Sequence, residues 1–207
     1  SGGAGVIHAR AAIAKLKIPL HVVGLIPAAE NMPSGQSYRP GDILKAMNGK
    51  TIEVLDTDAE GRLVLADALV YAKKFDPLFV VDIATLTGAA MVAHGTRLSG
   101  LFTEKQGDET LLRTLGDQSG DYVWPLPLIE EHLDDLRGTF ADIANITKSR
   151  YGGAIDGAVF VPNILSSGIP LIISSSLRGC FELPANEIYF LSIVFPISLF
   201  GFVSGII

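Results

Sequence analysis

Short apolar segments alternate with helix-forming segments along the chain, and this alternation is the strongest constraint on its fold. The strand-like segments, each brief and rich in apolar or β-branched residues, are 21–26, 50–55 and 79–83. The helix-like segments are 4–16, 63–75 and 108–118. Strands that alternate with helices pack as layers around one sheet. The sequence therefore predicts an α/β domain with a central mixed β-sheet flanked by helices.

Composition excludes several classes of protein. With 207 residues, 48% of them hydrophobic and 18% charged, the chain is long and apolar enough to bury a core. A net charge of −6 argues against a nucleic-acid-binding surface, so no nucleic-acid partner is expected. The single cysteine, Cys180, excludes an internal disulfide and indicates a reducing, cytoplasmic location. The histidines, none with the spacing of zinc ligands, are His8, His21, His94 and His132.

A change in composition near Pro162 predicts two parts, residues 1–161 and a divergent apolar tail at residues 162–207. The charged side chains of the tail are Arg178, Glu182 and Glu187. The tail ends in an uncharged run at residues 188–207, which is long enough for a membrane span. Two other interpretations stay open, a buried replacement for a closing segment and sequence foreign to the fold. A membrane is expected as a partner only if the tail is native.

An acidic cluster follows the second strand-like segment, with the sequence Asp56-Thr57-Asp58-Ala59-Glu60-Gly61-Arg62. Residues i and i+2 of an extended chain point to the same side, so Asp58 and Glu60 are expected to present two carboxylates together. Divalent metal ions would relieve their repulsion. Arg62 would then hold an anion beside the metals. The alternative is that the acidic residues cap the following helix and interact with its dipole.

Four segments, in order and spacing, resemble the motifs of one enzyme family. They are ENMP at 30–33, YRPGD at 38–42, EVLDTDAEGRL at 53–63 and DIATLTGA at 82–89. Over residues 2–161 the chain resembles the catalytic domain of the leucine aminopeptidase (cytosol aminopeptidase) family. The resemblance implies a metallopeptidase that releases N-terminal, preferably apolar, residues from peptide substrates. It also implies a homo-oligomer, which is a hexamer in that family.

The resemblance assigns roles to individual residues. It implies that Asp58 and Glu60 bind two divalent ions, Mn²⁺ or Zn²⁺, with Glu60 bridging both. It implies that Arg62 is the catalytic arginine, which holds a bicarbonate acting as general base. The residues that it implies for substrate binding are Asp56, Thr85, Leu86 and Gly88.

Three departures from the family pattern lead to a second hypothesis. The family's remaining metal ligands and its electrophilic lysine fall before the position of Ser1, and its closing segment is not found after Val161. Asp56 stands where the family usually carries Asn, which adds negative charge near the metals. We therefore expect an incomplete copy with little activity of its own. The alternative function is that of a non-catalytic homologue acting as a structural or binding protein.

Overall fold

The computed structural model describes residues 2–165, 171–175, 189–192 and 195–197. Its helices are α1 (Gly2–Lys15), α2 (Gly61–Ala72), α3 (Gly88–His94), α4 (Gln106–Ser119), α5 (Glu131–Asp135) and α6 (Gly153–Leu165). Its strands are β1 (Val22–Leu25), β2 (Ala28–Glu30), β3 (Ile43–Lys45), β4 (Thr51–Glu53), β5 (Phe79–Ala84), β6 (Ser99–Phe102), β7 (Val123–Pro125), β8 (Ile143–Ala144), β9 (Leu171–Ser175), β10 (Tyr189–Ser192) and β11 (Phe195–Ile197). A 3₁₀ turn, Lys73–Phe75, extends α2.

A six-stranded sheet has the order β1-β10-β5-β9-β6-β7. Its neighbouring strands run parallel except for β6 and β9, which are antiparallel. Strand β5 is buried on both faces, as its apolar sequence predicts. Val81 and Ile83 face Val6 of α1, whereas Val80 and Ala84 face the main core. The predicted mixed sheet flanked by helices is thus confirmed.

The main core lies between this sheet and the pair α2 and α6. Leu65 and Leu69 come from α2 and Phe160 from α6, and each of the three is at most 1% exposed. The three-residue to four-residue spacing of the apolar positions in α2 places them on one face, so the helix buries that face. Full burial of three side chains of this size contributes about 5–9 kcal/mol. Packing of α2 against α6 fixes the residues at the start of each helix relative to one another.

Two smaller sheets accompany the main one, and one of them carries the acidic cluster. Strand β4 pairs with β3 in antiparallel fashion and with β8 in parallel, while β2 pairs with β11. The strand that precedes the acidic cluster therefore belongs to a separate three-stranded sheet. Two backbone hydrogen bonds, each from or to Val54, attach the end of β4 to residues 41–42. The acidic cluster begins where β4 leaves its neighbours.

Three of the strands come from the predicted tail. Strand β9 lies between β5 and β6, and β10 lies between β1 and β5. The remaining tail residues, 166–170, 176–188, 193–194 and 198–207, lie outside the described residues. Most of the uncharged run at 188–207 falls among them. Within the described part of the chain, no helix combines the length and the apolar character that crossing a membrane requires.

Asp82 is a charged residue in the middle of the core sheet. It lies on β5, opposite Ile173 of β9 and Ser192 of β10, and it is 0% exposed. Neither of its carboxylate oxygens has a hydrogen-bond partner in the described part of the chain. Burial raises the pKa of Asp82 well above its ordinary value. The folded chain thus binds this proton more tightly than the unfolded chain does, and stability falls as pH rises above the unfolded-state pKa of about 3.9.

We expect Asp82→Asn to stabilise the protein at pH 7.5, because the variant removes a buried carboxylate that has no hydrogen-bond partner among the described residues. The free energy of unfolding should rise by at least about 1 kcal/mol. The gain should shrink as the pH falls towards 3.5, where both states of the wild-type chain become protonated. Thermal unfolding followed by circular dichroism between pH 3.5 and 8 measures both effects. A lower melting temperature for the variant at pH 7.5 would show that Asp82 has a stabilising partner.

Asp142→Asn is the matched control, with the opposite sign. Asp142 is exposed and accepts hydrogen bonds from the backbone N–H and the hydroxyl of Thr51, each at 2.8 Å. These bonds lower the pKa of Asp142. Its contribution to stability is present above the unfolded-state pKa and is lost as pH falls through the folded-state pKa. The variant should therefore destabilise the protein at neutral pH and approach the wild type in acid.

Candidate active site

The acidic cluster forms a turn and does not continue β4. The backbone N–H of Asp58 donates to Oδ1 of Asp56 at 2.9 Å, and the N–H of Ala59 approaches the carbonyl oxygen of Asp56 at 3.4 Å. Glu60 already has helical dihedral angles, with φ −76° and ψ −32°, and directly precedes α2. The expectation of an extended segment is thus wrong. The side chain of Asp56 favours a turn because it satisfies a backbone donor two residues ahead.

The turn gives the three carboxylates different environments. Asp56 and Asp58 are exposed, whereas Glu60 is only 6% exposed. The acceptor atoms of the three do not lie within 4.8 Å of one another as one group. The predicted pair of carboxylates is therefore one buried and one exposed group on consecutive parts of a turn.

Glu60 is a buried acid at the end of the acidic turn. Neither side-chain oxygen has a partner with hydrogen-bond geometry among the described residues. Burial raises the pKa of Glu60 and the negative charge of Asp58 raises it further, while nearby backbone N–H groups and the Asn31 amide oppose the rise. Buried polar groups are nearly always paired, so an unpaired carboxylate indicates a place for a cation.

The loop that carries the ENMP and YRPGD motifs holds the turn from the other side. The Asn31 amide donates to the carbonyl oxygen of Thr57 at 3.1 Å, and the Tyr38 hydroxyl donates to the same oxygen at 3.3 Å. Burial raises the pKa of Tyr38, and the negative charges of Glu60 and then Asp56 raise it further. The site has a negative potential that extends as far as this phenol, and such a potential favours cations.

Arg62 lies in the first turn of α2 and points towards α6. Its Nη1 donates to the carbonyl oxygen of Asn145 at 2.9 Å, and its guanidinium carbon lies 6.0 Å from the centre of the Phe160 ring. Burial lowers the pKa of Arg62, while the negative charges of Asp156 and then Asp56 act against that shift. An arginine keeps its proton at neutral pH even so. A positive group with further N–H donors is therefore held near the carboxylates of Asp156 and Asp56.

The predicted substrate-binding residues Thr85 and Leu86 lie on the loop from β5 to α3, and Gly88 is the first residue of α3. Thr85 and Gly88 are exposed, and Leu86 packs against the main core. The loop lies directly on α6 at Gly157, where an added Cβ would be 2.7 Å from Cγ2 of Thr87. Gly157 therefore allows the loop to approach α6. Because Arg62 also contacts α6, that helix links the loop to the acidic turn.

A second cluster contains residues that sequence spacing did not indicate. Ligand atoms of His132, Asp135 and Asp156 lie within 4.8 Å of one another, which is a geometry compatible with a metal ion. Nδ1 of His132 is 3.2 Å from Oδ1 of Asp156, and the Thr147 hydroxyl donates to Oδ2 of Asp156 at 2.8 Å. Asp156 is 4% exposed, and its two carboxylate oxygens are already paired with His132 and Thr147. These contacts join Asp156 on α6 to His132 on α5 and to Thr147 in the segment before α6.

Asn145 is a further residue of the site that the sequence did not indicate. It is 0% exposed and follows β8 directly. Its carbonyl oxygen accepts the hydrogen bond from Arg62, and its side chain bonds to the backbone of Leu55 and Asp56. No motif or spacing points to it, because it lies about 90 residues from the groups that it contacts.

Comparison with known proteins places these motifs in one family. The model of the cytosol aminopeptidase family, catalytic domain, matches residues 1–172. A probable cytosol aminopeptidase of Haemophilus ducreyi is 54% identical over 162 residues, which are 78% of this chain and 32% of that protein. The corresponding protein of Azoarcus sp. is 52% identical over 160 residues, covering 77% of this chain and 32% of its own length.

A third relative, a probable cytosol aminopeptidase of Acinetobacter baylyi, is 51% identical over 160 residues. The alignment covers 77% of this chain and 33% of that protein. The chain thus spans about a third of the length of the curated relatives that it matches. The family match includes the acidic turn, Arg62 and the loop from β5 to α3. The chain belongs to the cytosol aminopeptidase family.

Proposed function

We propose that this chain provides part of the catalytic site of a metal-dependent aminopeptidase, which hydrolyses the N-terminal peptide bond of peptides with an apolar first residue. The observation that carries the proposal is the buried carboxylate of Glu60, which has no hydrogen-bond partner in the described part of the chain. The relatives are named as probable cytosol aminopeptidases. They support this activity and a cytoplasmic location.

The acidic turn fits divalent metal ions. Glu60 offers two buried oxygens, Asp58 adds an exposed carboxylate, and the nearby Asp56 increases the negative charge. Carboxylate oxygens are suitable ligands for Mn²⁺ and also bind Zn²⁺. We infer that Asp58 and Glu60 would hold two such ions. Bound there, the ions would lower the pKa of a water molecule and polarise the scissile carbonyl.

Arg62 supplies a fixed positive group beside these carboxylates. One N–H of its guanidinium donates to Asn145, which leaves other N–H groups of the fork available for an oxyanion. A bicarbonate held by this fork would act as general base near the metals. Because Arg62 is half-buried and packs on Phe160, its guanidinium keeps one position during the reaction.

The loop from β5 to α3 is the proposed path of the peptide. The exposed Thr85 and Gly88 offer backbone groups to an extended substrate, and the half-buried Leu86 offers an apolar contact. Asp56, exposed at the turn, would attract the free amino group of the substrate. This arrangement supports a preference for an apolar first residue. A homo-oligomer, a hexamer by resemblance to the family, is part of the same proposal.

The proposal is tested with aminoacyl p-nitroanilides and metal analysis. Purified protein, as its gene encodes it, should release p-nitroaniline from the leucyl substrate at least about 10-fold faster than from the glutamyl substrate. It should also hold about two Mn²⁺ or Zn²⁺ ions per chain, measured by mass spectrometry of the metals. A chain that binds no metal and hydrolyses neither substrate would instead support the non-catalytic structural or binding function.

A further inference from the structure

We propose that Asn145 is a positioning residue that fixes the position of the acidic turn relative to the guanidinium of Arg62. The inference rests on the proposed function, since the turn and Arg62 are its reacting parts. Asn145 is fully buried and follows β8, outside the acidic motif. Its contacts reach both halves of the site.

The side chain of Asn145 forms hydrogen bonds to the backbone just beyond the point where the pairing of β4 with β8 ends. Strand β8 pairs with β4 only as far as Glu53, where the Asn145 N–H donates to the Glu53 carbonyl oxygen at 2.9 Å. Beyond that point Oδ1 of Asn145 accepts from the N–H of Leu55 at 2.8 Å and of Asp56 at 3.3 Å. Its Nδ2 donates to the carbonyl oxygen of Asp56. One side chain therefore satisfies three backbone groups at the place where β4 turns into the acidic cluster.

The backbone of the same residue holds Arg62. The Asn145 carbonyl oxygen accepts from Nη1 of Arg62 at 2.9 Å. The relative position of the turn and the guanidinium thus depends on one buried residue, which bonds to both. Residues that orient metal-binding groups through hydrogen bonds usually affect metal affinity or activity 10-fold to 100-fold when changed. A residue that only stabilises the fold would not change metal affinity in protein that remains folded.

The variants Asn145→Ala and Asn145→Asp test this role. Alanine removes all three side-chain hydrogen bonds, whereas aspartate keeps the size and the acceptors but replaces the donor to Asp56 by an oxygen. Asn48→Ala is the matched control. The Asn48 side chain also bonds to backbone groups, of Lys50 and Ile164, but it lies beyond the other end of β4. Asn145→Ala and Asn48→Ala thus both remove side-chain hydrogen bonds to the backbone, but only Asn145 contacts the acidic turn.

We expect both Asn145 variants to weaken Mn²⁺ binding about 10-fold to 100-fold in calorimetry and to lower kcat more than they raise KM. Hydrogen exchange of the amides of Leu55 and Asp56 should be at least about 10-fold faster in Asn145→Ala than in Asn48→Ala. Asn48→Ala should lower the melting temperature and leave metal affinity unchanged. All assays use protein that is folded by circular dichroism at the assay temperature.

Two possible results separate a failure of the positioning role from a failure of the proposed function. If the wild-type protein binds Mn²⁺ but the folded Asn145 variants bind it equally well, the positioning role is wrong and the proposed function stands. If the wild-type protein binds no metal, the proposed function fails, and the exchange experiment still decides whether Asn145 holds the turn. Unchanged protection of Leu55 and Asp56 in Asn145→Ala would overturn the inference in either case. Should Asn145→Ala fail to fold, Asn145→Asp supplies both readouts.

Discussion

In the protein as its gene encodes it, Glu60→Gln is expected to lower turnover of a leucyl substrate by at least about 100-fold, which exceeds the 10-fold to 100-fold effect usual for residues that orient metal ligands. The substitution keeps the size of the side chain and removes the negative charge that we propose binds both metal ions. Added Mn²⁺ should raise the melting temperature of the wild-type protein by binding the folded state, and the variant should lose most of that rise. A substrate assay and thermal unfolding with and without Mn²⁺ measure the two effects.

Glu53→Gln is a close control, because Glu53 and Glu60 are both 6% exposed. Oε2 of Glu53 accepts from the backbone N–H of Thr139 at 2.6 Å and of Phe140 at 3.2 Å, whereas the Glu60 carboxylate lacks such partners in the described structure. Glu53→Gln should therefore destabilise the protein and leave metal affinity unchanged.

In metal-free protein, Glu60→Gln should raise stability by about 1 kcal/mol, because it removes a buried charge whose oxygens have no hydrogen-bond partner in the described part of the chain. The two variants thus have opposite effects on stability, and only Glu60→Gln weakens metal binding. A Glu60→Gln variant with normal metal affinity and turnover would show that Glu60 is not a ligand.

The sequence predicted the elements that are set by local patterns. Strand β5 is apolar except for Asp82 and α2 has one apolar face, so both were predicted to within a few residues. The pairing of β4 with β8 was not predicted. It joins Ile52 to Ile143, and a strand of two residues has no periodicity of its own to detect. The order of the strands in the main sheet likewise depends on contacts between distant segments.

The candidate site was predictable as a set of motifs but not as a geometry. Resemblance pointed to Asp58, Glu60 and Arg62, which lie within five residues of one another. The turn that separates an exposed Asp58 from a buried Glu60 depends on hydrogen bonds that the side chains of Asp56 and Asn145 accept from backbone N–H groups. Such bonds override the extended geometry that follows from strand spacing alone.

The contact between His132 and Asp156 could not be predicted from the sequence either. They are 24 residues apart, on α5 and α6, and neither residue carries a local signal. Their contact depends on how the two helices pack. Spacing rules for metal ligands describe residues on one element or one turn, so they do not report on such a pair.

Arg62→Met is expected to lower kcat by about 100-fold to 1,000-fold, the usual cost of losing a donor that stabilises developing charge. Methionine retains an apolar stem to pack against Phe160, so the variant tests the guanidinium more than the packing. Arg62→Lys keeps the charge but cannot present the planar fork, so we expect it to recover little activity. In buffer depleted of bicarbonate, added bicarbonate should accelerate the wild-type enzyme and neither variant.

Arg113→Ala is the control for loss of an arginine. Arg113 is exposed, lies 4.7 Å from the Trp124 ring, and pairs with Glu109 at 4.0 Å, outside the residues of the candidate site. Its loss should leave kcat unchanged.

Mn²⁺ affinity of Arg62→Met should equal or exceed that of the wild type, because a positive charge near the carboxylates has been removed. This separates Arg62 from the proposed ligands, whose loss weakens metal binding. A normal kcat for Arg62→Met would contradict its catalytic role, and a loss of metal affinity would place it among the groups that build the metal site.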